Sequence, residues 1–222
     1  MVHRRTVDGE VLVFGNQGAL WRNAMTWWDH SSGSVWSQPL GEAIAGPRTG
    51  QRLELVPSQF TSWRSWRQAH PATLALDAPG DPTGFDLADF YIVVDFSVEA
   101  RAYAISDLRN IGFVNDTVAG VPVAVVLDPG DHERWYVFGR IVDHAGQAVE
   151  VELVLDGETI KDVASGSTWD PLTGRAVDGP LEGADLPRLP ALTSFPGGGP
   201  TKAPIFDAFW PNGTVWRPGR SG

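Results

Sequence analysis

The sequence predicts a mainly β protein with a few short helices. It further predicts two internally duplicated β-rich units forming one compact, pseudo-symmetric body of barrel or sandwich type. Three observations lead there. Gly (25) and Pro (17) are abundant, which suits many short strands joined by turns. Apolar runs of strand length outnumber runs of helical period. One phrase is written twice, "SGSVWSQPLGEAIAGPRTG" from Ser32 and "SGSTWDPLTGRAVDGPLEG" from Ser165, at an offset of 165 − 32 = 133 residues.

In chain order, "GEVLVFG" opens the strand series, and "ALWRNAMTWW" supplies Leu20, Trp21, Met25, Trp27 and Trp28 as large apolar groups. "PSQFTSWRSWRQAHP" is the best helix. Phe60, Trp63 and Trp66 fall three apart, Arg64 and Arg67 lie between them, and Pro71 ends the pattern. "DAPGDPTGFD" is loop-like, so residues 77–90 form a linker between a first unit at 1–76 and a second at 91–222. "DFYIVVDFSV" is a strand and "AISDLRN" a short helical turn. "VPVAVVLDPGD" and "RWYVFGRIVD" are strands flanking a Pro-Gly turn. In "AVEVELVLDGETIKD", Val149, Val151, Leu153 and Leu155 share one strand face, and Asp156-Gly157 turns the chain. "SFPGGGPTKAP" is a loop, and "PIFDAFWPNG" a helix closed by Pro211 and Asn212-Gly213.

The repeat extends beyond the quoted phrase. Asp29 pairs with Asp162, Leu53 with Leu186 and Pro57 with Pro190 at the same offset. "RTVDG" at Arg5 echoes "RIVD" at Arg140 with a small length change, and "WRQAHPATL" loosely echoes "FDAFWPNGTV". A period this long is duplication of a whole unit rather than a solenoid. The shared residues are turn formers and anchors. Gly41, Gly50, Gly174 and Gly183 suit positive φ, Trp36 and Trp169 suit a core, and Asp29 and Asp162 precede Ser/Gly turns whose N–H groups a carboxylate can accept. Residues 29–57 and 162–190 are therefore expected to share one local fold.

Composition narrows the function. A net charge of −10 disfavours nucleic acid and anionic membranes. The absence of cysteine excludes disulfides, thiolate chemistry and cysteine metal sites. No apolar run reaches the roughly 18 residues needed to span a bilayer. "MVHRRTVDGE" is not a secretory signal. The chain as written is expected in the cytoplasm, or outside it if an upstream segment is missing. Ten Trp residues suit either a core or an aromatic platform.

Residues suited to catalysis are sparse. No G-x-S-x-G surrounds Ser34 or Ser167. His30 has Val163 in its place in the second copy. Histidine spacing fits no metal motif, and Asp77, Asp81, Asp86 and Asp89 lack the EF-hand order, so no metal and no cofactor is expected. One sharper arrangement is open: duplicated copies can bring Asp29 and Asp162 together as a carboxylate pair.

"DHSSGSVWSQPLGEAIAGPRTGQRLELVP" with "TSWRSWRQAHPATLAL" resembles the bacterial and archaeal family catalogued as domain of unknown function 3179. Asp29, Ser34, Trp36, Ser37 and Gln38 occupy its Asp-Arg-x-Thr-x-Ser-x-Trp-Ser-Gln pattern, with His30 and Ser32 departing from it. Asn115, Asp116, Thr117, Gly120 and Pro122 match its Val-Asn-Asp-Thr segment, while Ala104 replaces a Pro. The family's first half usually opens with a further such segment and a Cys-Pro motif, both absent here. The resemblance implies an architecture and no reaction. The expectation is a non-catalytic binding or accessory subunit that docks on a protein partner or a second copy. Its contact would be at Val11, Leu20, Trp21, Met25, Trp27 and Trp28, beside an unpaired edge on "GEVLVFG". The alternatives are an enzyme or metal-assisted hydrolase using Asp29, His30 and Asp162, and a glycan-binding module using exposed Trp.

Overall fold

A computed structural model describes residues 1–58, 61–75, 87–128, 130–157, 159–171, 173–194 and 205–219, with backbone alone at 87, 132 and 133. Phe60, the acidic stretch at 77–86 and the Gly/Pro-rich stretch at 195–204 lie outside the described residues.

The hairpin of β1 (Thr6–Val7) and β2 (Glu10–Val11) comes first. Then β3 (Phe14–Trp21), β4 (Ala24–Asp29), β5 (Val35–Ser37) and β6 (Glu42–Ala45) form an antiparallel sheet in that order. Helix α1 (Trp63–Ala69) is capped by Ser62, whose hydroxyl accepts the Ser65 N–H. Next come β7 (Tyr91–Asp95), β8 (Ala100–Ala104) and α2 (Ile105–Ile111). Strands β9 (Phe113–Val118), β10 (Val121–Asp128) and β11 (Asp131–Gly139) make a three-stranded sheet with β10 central. The hairpin of β12 (Ile141–His144) and β13 (Gln147–Glu150) follows. A second four-stranded sheet runs β14 (Leu153–Asp156), β15 (Thr159–Asp162), β16 (Thr168–Trp169), β17 (Ala176–Asp178). Strand β18 (Leu192–Ser194), α3 (Ile205–Phe209) and β19 (Thr214–Val215) close the series. The protein is mainly β with a few short helices, as its composition predicts. The described sheets stay open, so the barrel alternative does not hold.

Two compact units arise from interleaved stretches: 1–58, 91–102 and 190–215 form one, and 59–90, 103–189 and 216–222 the other. The second unit's core is a sandwich. Ala124 and Val126 of β10 and Tyr136 and Phe138 of β11 pack on Val142, Val151, Leu153, Ile160 and Trp169. Two clusters are seen among the described residues of the first unit. One gathers Val7, Leu12, Trp36, Ala43 and Leu53, with Phe14 and Trp27 against it. The other gathers Val93, Ala102, Leu192, Phe206, Phe209 and Trp210, with Trp21, Ala24 and Leu55 against it.

Two strand readings need correction. "RWYVFGRIVD" is not one strand, because β11 ends at Gly139 and β12 starts at Ile141. The run 149–155 breaks at Val151, whose N–H donates to Arg140 C=O at 2.8 Å. Within β14, Leu153 is fully buried whereas Leu155, two residues on, is 39% exposed.

Candidate functional site

The most heavily hydrogen-bonded polar cluster is a corner built twice from the repeated phrase. In the first copy, Asp29 ends β4. Its Oδ1 accepts the Ser32 N–H at 2.6 Å and the Ser31 hydroxyl at 3.1 Å, and its Oδ2 accepts the Ser32 hydroxyl at 2.7 Å and Trp36 Nε1–H at 2.9 Å. The Ser32 and Ser34 hydroxyls lie 2.7 Å apart, and Ser34 Oγ accepts the Arg48 N–H at 3.0 Å. In the second copy, Asp162 accepts the Ser165 N–H at 2.7 Å, Ser165 bonds Ser167 at 2.9 Å, and Ser167 Oγ accepts the Leu181 N–H at 2.9 Å. Every one of these backbone partners keeps the offset of 133.

The backbone repeats with it. Asp29 N–H donates to Ser34 C=O at 3.0 Å, and Asp162 N–H to Ser167 C=O at 2.9 Å. Ala43 and Gln51 pair as Ala176 and Ala184 do, and Leu53 reaches Gly41 as Leu186 reaches Gly174. Gly46 and Gly179 have φ of 97° and 96°, and a Cβ on either would lie 2.7 Å from the Cα of Ser34 or Ser167. Glycine is required there because the corner closes against bare backbone. Segments 29–57 and 162–190 thus share one local fold. Trp36 and Trp169 are both fully buried, so neither ring can face a ligand.

Burial would raise the Asp29 carboxyl. The hydrogen bonds from Trp36, Ser32 and Ser31 outweigh it and hold the group at about 2. Asp162 is likewise lowered: burial opposes, and bonds from Ser165, Glu152 and Ala164 prevail. Both are anions whose lone pairs serve their own corners. His30 stacks its ring on Trp28 at 4.3 Å, and its N–H bonds Val13 C=O at 2.9 Å. Val163 makes the same backbone bond to Glu152, at 2.8 Å, without an imidazole. Ser37 is buried and Gln38 half-buried, its carbonyl 3.1 Å from His3 Nε2. Among the described residues no group of three or more His, Asp or Glu side chains gathers as a metal site would require.

Asn115 and Asp116 hold the second unit together. The Asn115 side chain donates to Leu153 C=O at 2.7 Å and accepts its N–H at 3.2 Å, standing in for a neighbouring strand on β14. Asp116 accepts the Tyr103 hydroxyl at 2.8 Å. Arg140, which belongs to no catalytic or metal motif, is buried and donates to the carbonyls of Val123 (3.1 Å), Val151 (2.6 Å) and Asp116 (3.4 Å). Its echo with Arg5 is the signal in the sequence that marks it.

The apolar positions of the first unit separate into two sets. Trp21 packs edge-on to Phe209 at 5.5 Å, and Trp27 lies against Phe14 at 5.8 Å. Val11, Leu20, Met25 and Trp28 are exposed, Leu20 by 65% and Met25 by 42%. Leu20 and Met25 are cross-strand partners beside a bulge at Gln17–Ala19. Of "GEVLVFG", Glu10 and Val11 pair with β1, while Phe14 and Gly15 open β3, an edge strand as β14 is in its own sheet.

Fold and corner together define a class: tandemly duplicated β units, each with an Asp–Ser corner beside a buried Trp. The model of the family described as protein of unknown function (DUF3179) matches residues 1–85 and again residues 83–195. The chain belongs to that family. No curated protein and no solved structure matches it.

Proposed function

We propose that this chain is a non-catalytic binding or accessory module that docks on a partner protein through the β3–β4 hairpin. The observation that carries the reading is the exposed cross-strand pair Leu20 and Met25, on a hairpin whose β3 strand has an open edge. Exposed apolar groups beside an unpaired edge favour contact with another chain. A hydrolase would need a carboxylate or imidazole free to move a proton. Asp29 and Asp162 instead serve as acceptors within their turns.

The test is affinity capture from native cells with wild type and with Leu20→Glu/Met25→Glu. These positions are exposed, so the variant should keep the wild-type melting temperature. A partner recovered stoichiometrically with wild type should fall at least about ten-fold with the variant. Equal recovery, or no stoichiometric partner, contradicts the reading.

A further inference from the structure

The second unit holds a cavity of about 370 Å³ to which the docking reading gives no role. All of its lining residues belong to that unit, and its volume suits a small molecule. Arg140, between β11 and β12, lines it and is 7% exposed. The carbonyls of Val123, Val151 and Asp116 take one N–H each, which leaves part of the guanidinium fork over. Among the described residues its charge has one ionic partner, Glu150 at 3.3 Å, whose side chain is 56% exposed. A buried cation needs close compensation, and a carboxylate standing in water supplies only part of it. Glu152 has the opposite imbalance. It lines the same cavity, is exposed, and forms no ion pair among the described residues. One cavity therefore carries an under-compensated cation and an unpaired anion.

The first copy shows that the fold does not demand these carboxylates. Leu12 N–H donates to Arg5 C=O as Val151 N–H does to Arg140 C=O, each at 2.8 Å. His30 N–H donates to Val13 C=O at 2.9 Å, as Val163 N–H does to Glu152 C=O at 2.8 Å. Arg5 Nη1 also donates to Leu12 C=O, at 3.4 Å, as Arg140 Nη1 does to Val151 C=O. Val11 and Val13 thus occupy the places of Glu150 and Glu152 on the same backbone, and both are exposed, by 58% and 51%. Valine builds this rim as well as glutamate does, so the two carboxylates answer something other than folding. We infer that the cavity binds a small zwitterion of the aliphatic amino-acid class. Its ammonium meets Glu150 and Glu152, its carboxylate takes the Arg140 donors left over, and its side chain lies on Val163 and Ala164. A lone anion would have to pass two glutamates at the rim, and a lone cation would face Arg140 behind them. A ligand with both charges matches both groups. This inference does not rest on the β3–β4 docking surface.

L-Leucine serves as probe, titrated into the full chain by calorimetry and followed by amide shifts in NMR spectra. Binding should saturate with a dissociation constant below about 1 mM. Shifts should move at Val163 and Ala164 and stay still at His30 and Ser31, their counterparts in the first copy. Isopentylamine lacks the carboxylate and 4-methylpentanoate lacks the ammonium, and each should bind at least about ten-fold more weakly than leucine. Glu152→Gln should also weaken leucine at least about ten-fold. Val13→Gln, the same change at the equivalent place in the first copy, should leave binding within about two-fold of wild type. Both positions are exposed, so both variants should keep the wild-type melting temperature. No saturation up to about 10 mM leucine overturns the proposal. So does either half-ligand binding as tightly as leucine, unchanged binding in Glu152→Gln, or shifts that leave Val163 and Ala164 unmoved.

Discussion

At the scale of single residues, Asp29 carries the clearest prediction. Its folded pKa of about 2 lies below the ordinary value of 3.8. The unfolded chain therefore binds the proton first as pH falls. The stabilisation is complete above about pH 4 and is lost progressively towards pH 2. Asn in this place has one acceptor oxygen for the Ser31, Ser32 and Trp36 donors and turns an N–H₂ towards them. Asp29→Asn should destabilise by about 1–3 kcal/mol at pH 7, the cost of leaving buried donors unpaired. Its stability should also fall less steeply than wild type's between pH 4 and 2. Urea unfolding across that range checks both, and parallel curves would mean the carboxylate is not an anion held by its corner.

At the scale of elements, the two corners share backbone bonds but differ in one side-chain bond. Trp36 Nε1–H donates to Asp29, whereas Trp169 Nε1–H is buried with no hydrogen-bond partner among the described residues. Deleting either ring to Ala should cost about 3–5 kcal/mol. Replacement by Phe separates packing from bonding. Trp36→Phe should lose about 1.5–3 kcal/mol more than Trp169→Phe, because its bond ends on a charge. Equal losses by chemical denaturation would remove the bond from the account.

The corner was legible in the sequence because its demands are local. Gly46 and Gly179 answer a backbone approach, and Asp29 and Asp162 answer N–H groups three residues on. The loose echo of "WRQAHPATL" with "FDAFWPNGTV" is also structural. His70 N–H bonds Trp66 C=O and Trp210 N–H bonds Phe206 C=O, each at 2.8 Å. What could not be read was long-range. Arg140 acts on carbonyls 11 to 24 residues away. The apolar character of β3 and β4 could not say that Trp21 would meet Phe209 while Leu20 stayed exposed. Helix period likewise placed α1 but not its surroundings: α1 buries no residue, whereas α3 buries Phe206 and Phe209.

At the scale of the whole molecule, duplication in sequence and division in space follow different lines. The family match repeats at 1–85 and 83–195, while the compact units interleave, the first recruiting 91–102 and 190–215. A linear split at 76 and 90 follows the repeat rather than the packing, because later strands and α3 complete the first unit's second cluster. No described helix is long and apolar enough to cross a membrane. The central claim is that one corner is made twice, so that equivalent backbone groups are bonded alike in the two copies. Residue-resolved amide exchange of the purified chain tests it most directly, by setting Ala43 and Leu53 beside Ala176 and Leu186. The account predicts slow exchange at all four, since each N–H is bonded within its corner. Protection of one pair with free exchange at the other would contradict it.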